Sequence, residues 1–137
     1  MDLRTQKTEK TITDAFLSLR ARKPLEKITV RELCTQAQIN RSTFYDHYRD
    51  VYDLADRLED AAVQEILDSI AHPETLLHDT ARFTRELFAA FAPREELLNV
   101  LFSGSRRGLM SAKIAAALQE LVYARYPQYR DDLEFRI

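Results

Sequence analysis

The sequence predicts an all-α chain, and three observations carry that expectation. Apolar residues recur at helical spacing along most of the 137 residues. Only two Gly and four Pro occur, which leaves few residues for tight turns. Residues able to cap helices, Thr29, Asn40 and Asp50, stand just ahead of three of the periodic stretches. No alternating pattern of useful strand length, internal repeat or low-complexity segment is present.

Taken in order, Ile12, Ala15, Phe16 and Leu19 fall at i, i+3, i+4 and i+7, which predicts an amphipathic helix from about Lys7 to Ala21, ahead of Pro24. Thr29-Val30-Arg31-Glu32 reads as a capping box, with Thr29 accepting from the Glu32 N–H and Glu32 reaching back. It starts a short second helix at Val30 that ends near Gln36 to Ala37. Asn40 caps a third helix over Arg41 to Tyr48, with Ala37-Gln38-Ile39 as the turn between. Asp50-Val51-Tyr52-Asp53 opens a fourth helix of about five turns through Leu54, Leu58, Ala62, Ile66 and Ile70, closed by Pro73. Leu76 to Phe91 is apolar on more than one side and predicts a helix surrounded by neighbours, broken by Pro93. Glu95 to Phe102 predicts a shorter helix. Leu109 to Tyr126 predicts a long one through Ile114, Leu118, Leu121 and Val122, stopped at Pro127.

Composition narrows the function. At 45% apolar and 31% charged the chain is not collagen-like, linker-like or disordered, and its length fits one domain or two very small ones. The single cysteine, Cys34, forms no internal disulfide, and the polar stretch from Met1 to Lys10 contains no export signal, so a reducing cytoplasm is expected. No apolar run approaches the roughly 20 residues needed to span a bilayer, so no membrane partner is expected. The net charge of −2 conceals an asymmetry. Residues 1–50 hold ten Lys/Arg against seven Asp/Glu, whereas residues 51–137 hold ten against fifteen. That excess raises nucleic-acid binding only slightly, and local placement decides it.

The first three helices form a helix-turn-helix pattern whose last helix suits the major groove, about 12 Å wide. Phe44 and Tyr48, four apart, face the core, leaving Arg41, Ser42, Thr43, Tyr45 and His47 outward. Arg41 suits guanine acceptors, Ser42 and Thr43 suit base edges or thymine methyls, and Tyr45 and His47 suit phosphate oxygens. Asn40, at the helix start, joins them as a DNA-contact candidate.

Residues 29–54 resemble the DNA-binding signature of the tetracycline-repressor (TetR) family of transcriptional regulators. Thr43-Phe44-Tyr45-Asp46-His47-Tyr48 matches that family's T-[LFI]-Y-x-[HY]-[FY] pattern, and Asp50 with Asp53-Leu54 matches the start of its fourth helix. The resemblance implies a DNA-edge position for Thr29 and Arg31 on the second helix. Gln38 stands where the family usually has glycine, so this position must either keep φ below zero or accept a left-handed conformation. Val51 replaces the family's usual phosphate-binding lysine, leaving the N–H groups of that helix start to meet a phosphate.

Other residues have plainer readings. Cys34 is a small buried residue beside Leu33 and Ala37. His72 and His78 are not expected to hold a metal. Glu95, Glu96, Asp131 and Asp132 read as solvated helix faces. Arg82, Arg85, Arg106 and Arg107 are either exposed or available to an anionic effector. Phe83, Phe88, Phe91, Phe102, Tyr123 and Tyr126 read first as core packing, and through the family resemblance as the lining of a pocket for a small hydrophobic effector. No nucleophile–base pair, Gly-rich phosphate loop or metal triad occurs, so neither an enzyme nor a cofactor is expected.

The expectation is therefore an all-α protein with a three-helix helix-turn-helix DNA-binding domain at residues 1–50 and a helical effector-binding and dimerisation domain at residues 51–137. It is expected to be a ligand-responsive repressor, binding a palindromic double-stranded operator as a homodimer. The alternative is a helical protein-interaction module or corepressor subunit without specific DNA recognition. After Pro127, Arg130 to Ile137 starts a new helical pattern that stops without a cap. TetR-type chains continue there with two further helices that pair across the dimer as a four-helix bundle. The domain is thus expected to be incomplete at its C-terminus, with apolar surface exposed near Leu118, Leu121, Val122 and Leu133.

Overall fold

The computed structural model describes residues 2–130. All regular structure among them is helical: α1 (Leu3–Arg20), α2 (Val30–Ala37), α3 (Arg41–His47), α4 (Val51–Asp68), α5 (Thr80–Phe91), α6 (Glu95–Leu101) and α7 (Leu109–Arg125), joined by 3-10 turns. No described helix is long and apolar enough to cross a membrane.

The chain divides into two compact units. One runs to Glu59 and includes Asn99–Arg107; the other holds Asp60–Leu98 and the chain from Gly108 on. The division differs from the expected boundary at residue 50. The first half of α4 belongs with the N-terminal helices because Val51, Leu54, Ala55 and Glu59 are buried there.

In the first unit α1 starts earlier than its apolar periodicity predicts. Asp2 caps it by accepting from the Thr5 N–H at 2.8 Å, which carries the helix over a polar first turn. Ile12, Phe16 and Leu19 of α1, Leu25 and Ile28 of the following loop, Leu33 of α2, Phe44 of α3 and Leu54 of α4 are all buried. Each such side chain contributes about 1.5–3 kcal/mol on burial. α4 starts at an Asp50 cap, whose Oδ1 accepts from the Asp53 N–H at 2.7 Å.

The second unit departs further from expectation. The single helix predicted from Leu76 to Phe91 is instead a 3-10 turn, Pro73–Leu76, followed by α5. The Thr75 hydroxyl donates to the His72 carbonyl at 2.6 Å, and Asp79 recaps the chain by accepting from the Arg82 N–H. These local bonds end the apolar periodicity before it becomes helix. Nor is α5 surrounded: Phe83 is 3% exposed, but Phe88 is 70% exposed and Leu77 lies open beside it. Pro93 ends α5 as expected, since that helix stops at Phe91. It sits in the first turn of a 3-10 segment, Ala92–Arg94, whose flanking residues stay right-handed helical, so the chain runs on into α6. Proline is tolerated there because a first-turn N–H has no intrahelical partner to lose. The core of this unit is Leu67, Ile70 and Phe83, with Leu76, Leu87, Ala117, Leu118 and Leu121 packed on it. Val122, expected to be exposed, is 2% exposed and buried. Leu133 and the helical pattern from Asp131 on, with Asp132, lie outside the described residues.

Candidate nucleic-acid interface

The α2 to α3 segment is set by three local devices. Thr29 caps α2, accepting from the Glu32 N–H at 3.1 Å. The reciprocal half of the predicted capping box does not form, because Lys23 takes the Glu32 carboxylate at 2.6 Å. At the other end Gln38 adopts φ 58°, the one left-handed non-glycine among the described residues. Its N–H donates to the Thr35 carbonyl, and that of Ile39 donates to Cys34 at 3.0 Å, which together make a Schellman closure. This closure requires positive φ, so Gln38 accepts the left-handed conformation at a cost of about 1–2 kcal/mol relative to glycine. Asn40 then caps α3, its Oδ1 accepting from the Thr43 N–H at 2.8 Å. Its carbonyl side is thereby engaged, so its structural role is the cap.

α3 is two-faced in the predicted register. Phe44 is 0% exposed and Tyr48 6%, while Tyr45 is 54% exposed and meets Phe44 edge to face at 5.3 Å. Arg41, Ser42 and Asn40 are exposed, as are Thr29 and Arg31 of the preceding cap and helix. Tyr48 ends α3 in extended conformation rather than lying within it. Burial raises the Tyr48 pKa, and Arg57 covers its ring at 5.2 Å.

Two candidates are less open than the sequence suggests. Thr43 is half-buried. His47 is half-buried and its Nδ1 lies 3.2 Å from Glu9 Oε2 of α1. Helical periodicity on α3 places His47 outward, but it carries no information on a partner 38 residues earlier. Thr29 and Arg31 also border a groove of about 490 Å³ shared with Leu19, Arg22, Glu32, Thr35 and Gln36.

The first unit also holds an ionic network with no signal in the sequence. Glu59 of α4 is 0% exposed and bonds Arg106 at 2.8 and 3.0 Å. Arg106 also pairs with Asp56, and the Glu59 hydrogen bond raises the guanidinium pKa. Arg106 is therefore committed within the first unit rather than available to an effector. Buried Arg20 of α1 donates to the carbonyls of Leu101 and Ser103 at 3.4 and 3.1 Å, and its burial lowers its pKa. Asp53 accepts from the Arg49 N–H at 2.9 Å, which holds its carboxyl below the usual range. Val51 is buried, so no side chain there reaches a phosphate. Cys34 is buried as expected, and desolvation raises its thiol pKa.

The six effector-pocket aromatics are divided between the two units. Phe102 belongs to the first unit, and the other five belong to the second. Phe83 and Tyr123 are buried, Phe91 and Tyr126 half-buried, and Phe88 exposed. The Tyr123 hydroxyl accepts from Gln119, and Arg130 lies over its ring at 4.8 Å. A depression of about 360 Å³ in the second unit is lined by Ser69, Ala71, Glu86, Ala89, Ala90, Pro93 and Arg94, none of them aromatic. His72 bonds Glu74 at 3.1 Å, Arg82 pairs with Glu86, and Arg85, Arg107, Glu95 and Glu96 are exposed.

No protein-family model matches the chain, and neither a curated protein nor a solved structure is significantly similar to it.

Proposed function

We propose that this chain is a sequence-specific, double-stranded-DNA-binding transcriptional regulator of the TetR type, with α2, the Gln38 turn and α3 as its helix-turn-helix. The observation that supports the reading is the division of α3: Phe44 and Tyr48 anchor it, while Arg41, Ser42 and Tyr45 stand open with Arg31 and Thr29. Arg41 and Ser42 read base edges, and Tyr45 and His47 hold phosphates. The protein acts in the cytoplasm as a repressor, binding a palindromic operator as a homodimer.

Selection from a random duplex pool should yield one preferred sequence. On that sequence Arg41→Ala should cost about 1–3 kcal/mol of binding and relax the preference, whereas Tyr45→Phe should weaken all duplexes alike. Equal losses on preferred and random DNA for both variants would remove the division of roles. A small hydrophobic effector held by the second unit relieves repression in this reading. A compound panel in which none raises Tm takes the effector out of it.

One observation favours the alternative of a protein-interaction module: Phe88 is 70% exposed on α5. Duplex binding that is flat with salt and indifferent to sequence would select that alternative, because phosphate neutralisation releases counterions and makes true DNA binding steeply salt-dependent.

A further inference from the structure

We propose that Glu9 is a positioning residue for His47: its carboxylate keeps a proton on Nδ1, so Nε2 can donate to a DNA phosphate only when the ring is an imidazolium. The proposal rests on the DNA-binding reading and adds a proton to it.

Glu9 lies on α1 and His47 ends α3; their side chains are 26% and 14% exposed and meet at 3.2 Å through Oε2 and Nδ1. An ionised carboxylate only accepts hydrogen bonds. A bare Nδ1 would set its lone pair against the carboxylate oxygen, so the contact requires Nδ1–H, and the bond at one ring nitrogen fixes the tautomer. In the neutral ring Nε2 is then a lone-pair acceptor. A phosphate oxygen is also an acceptor, and the two do not bond. Protonation turns Nε2 into a charged donor, and such bonds are roughly twice as strong as neutral ones. Each contact made from a neutral ring therefore takes up one proton.

Nε2 is not fully buried. The ring's hydrogen bond is the one to Glu9 at Nδ1, and no buried side-chain nitrogen or oxygen among the described residues lacks a partner. The other charged or titratable groups nearby are Tyr48, whose ring lies 6.2 Å from that of His47, the exposed Asp46 and Arg49, and, beyond Tyr48, Arg57 and Asp53 of α4, which pair at 3.4 Å. Glu9 is the charge in direct contact.

The test combines two readouts on the whole chain and its Glu9→Gln and His47→Gln variants. Long-range ¹⁵N NMR of the imidazoles reads the tautomer without DNA. Anisotropy of a labelled mixed-sequence duplex at constant ionic strength reads affinity from about pH 6 to pH 8. The wild-type neutral ring should carry its proton on Nδ1, and affinity should fall about fivefold as pH rises. Glu9→Gln, whose amide can donate to Nδ1, should move the neutral proton to Nε2 and flatten the profile while keeping affinity at high pH. His47→Gln should flatten it too, which separates His47 from His72 and His78. A wild-type ring protonated on Nε2, or a Glu9→Gln profile as steep as wild type, overturns the proposal. An Nδ1–H ring in a chain that binds no duplex at any pH overturns the DNA reading instead, and with it the phosphate role of His47.

Discussion

The N-terminal unit and the second unit are both built of helices, yet they bury their side chains differently. Of the largest fully buried side chains, Phe16, Phe44, Ile12, Leu25, Leu33, Leu54 and Glu59 lie in the first unit; only Ile66 and Val122 lie in the second. The helices α1 to α4 each start on a side-chain cap, from Asp2, Thr29, Asn40 and Asp50. In the second unit Asp79 caps α5, but α7 starts at Gly108 with no side-chain cap. Apolar residues run around α7 rather than along one stripe, and most of them are half-buried. Caps and a one-sided apolar stripe specify both where a helix begins and which face turns inward. α7, which lacks both, still runs from Leu109 to Arg125 as its sequence predicts, but no single face of it is specified as inward.

That contrast is sharpest at two phenylalanines. Phe44→Ala should destabilise the first unit by about 3–5 kcal/mol, while Phe88→Ala should change stability by less than about 0.5 kcal/mol. Chemical denaturation of the two variants checks it, and comparable losses would erase the difference between the units.

The ionic network breaks the pattern from the other side, because it is polar yet buried. Arg106→Ala removes the guanidinium from a carboxylate that is 0% exposed and should cost about 3 kcal/mol. Glu59→Leu combined with Arg106→Met should recover most of that in urea melts, since the loss comes from a buried carboxylate deprived of this guanidinium. A double variant as weak as Arg106→Ala would mean that the pair is worth more than its desolvation.

A smaller effect follows from Asp53. The Arg49 N–H holds its folded pKa below the ordinary 3.8. The stabilisation is thus fully present above that value and is lost as pH falls through the lowered one. Acid titration of stability should show this loss in the wild type and not in Asp53→Asn.

Gln38→Gly should be a small change and the only one of opposite sign. Glycine adopts φ 58° without strain, but its freer unfolded chain offsets part of the gain, leaving about 0.5–1 kcal/mol of added stability. A loss on this substitution would mean that the Gln38 side chain contributes contacts of its own.

The start of α2, the cap at Asn40 and the inward Phe44 and Tyr48 were legible because each depends on residues within about one helical turn of one another, whereas the sequence left the conformation of Gln38 open. The all-helical class was legible for the same reason. The candidate DNA face followed from α3's own periodicity, apart from the half-burial of Thr43 and His47. Only the tertiary structure decided that Glu9 meets His47, that Arg106 closes over Glu59, that Asn99–Arg107 joins the N-terminal unit and that the six aromatics are divided between the two units. These pairings join residues 38 to 83 positions apart. Helical spacing fixes a side chain's direction on its own helix; which side chain waits across the gap depends on how separate helices pack, and no local pattern encodes that.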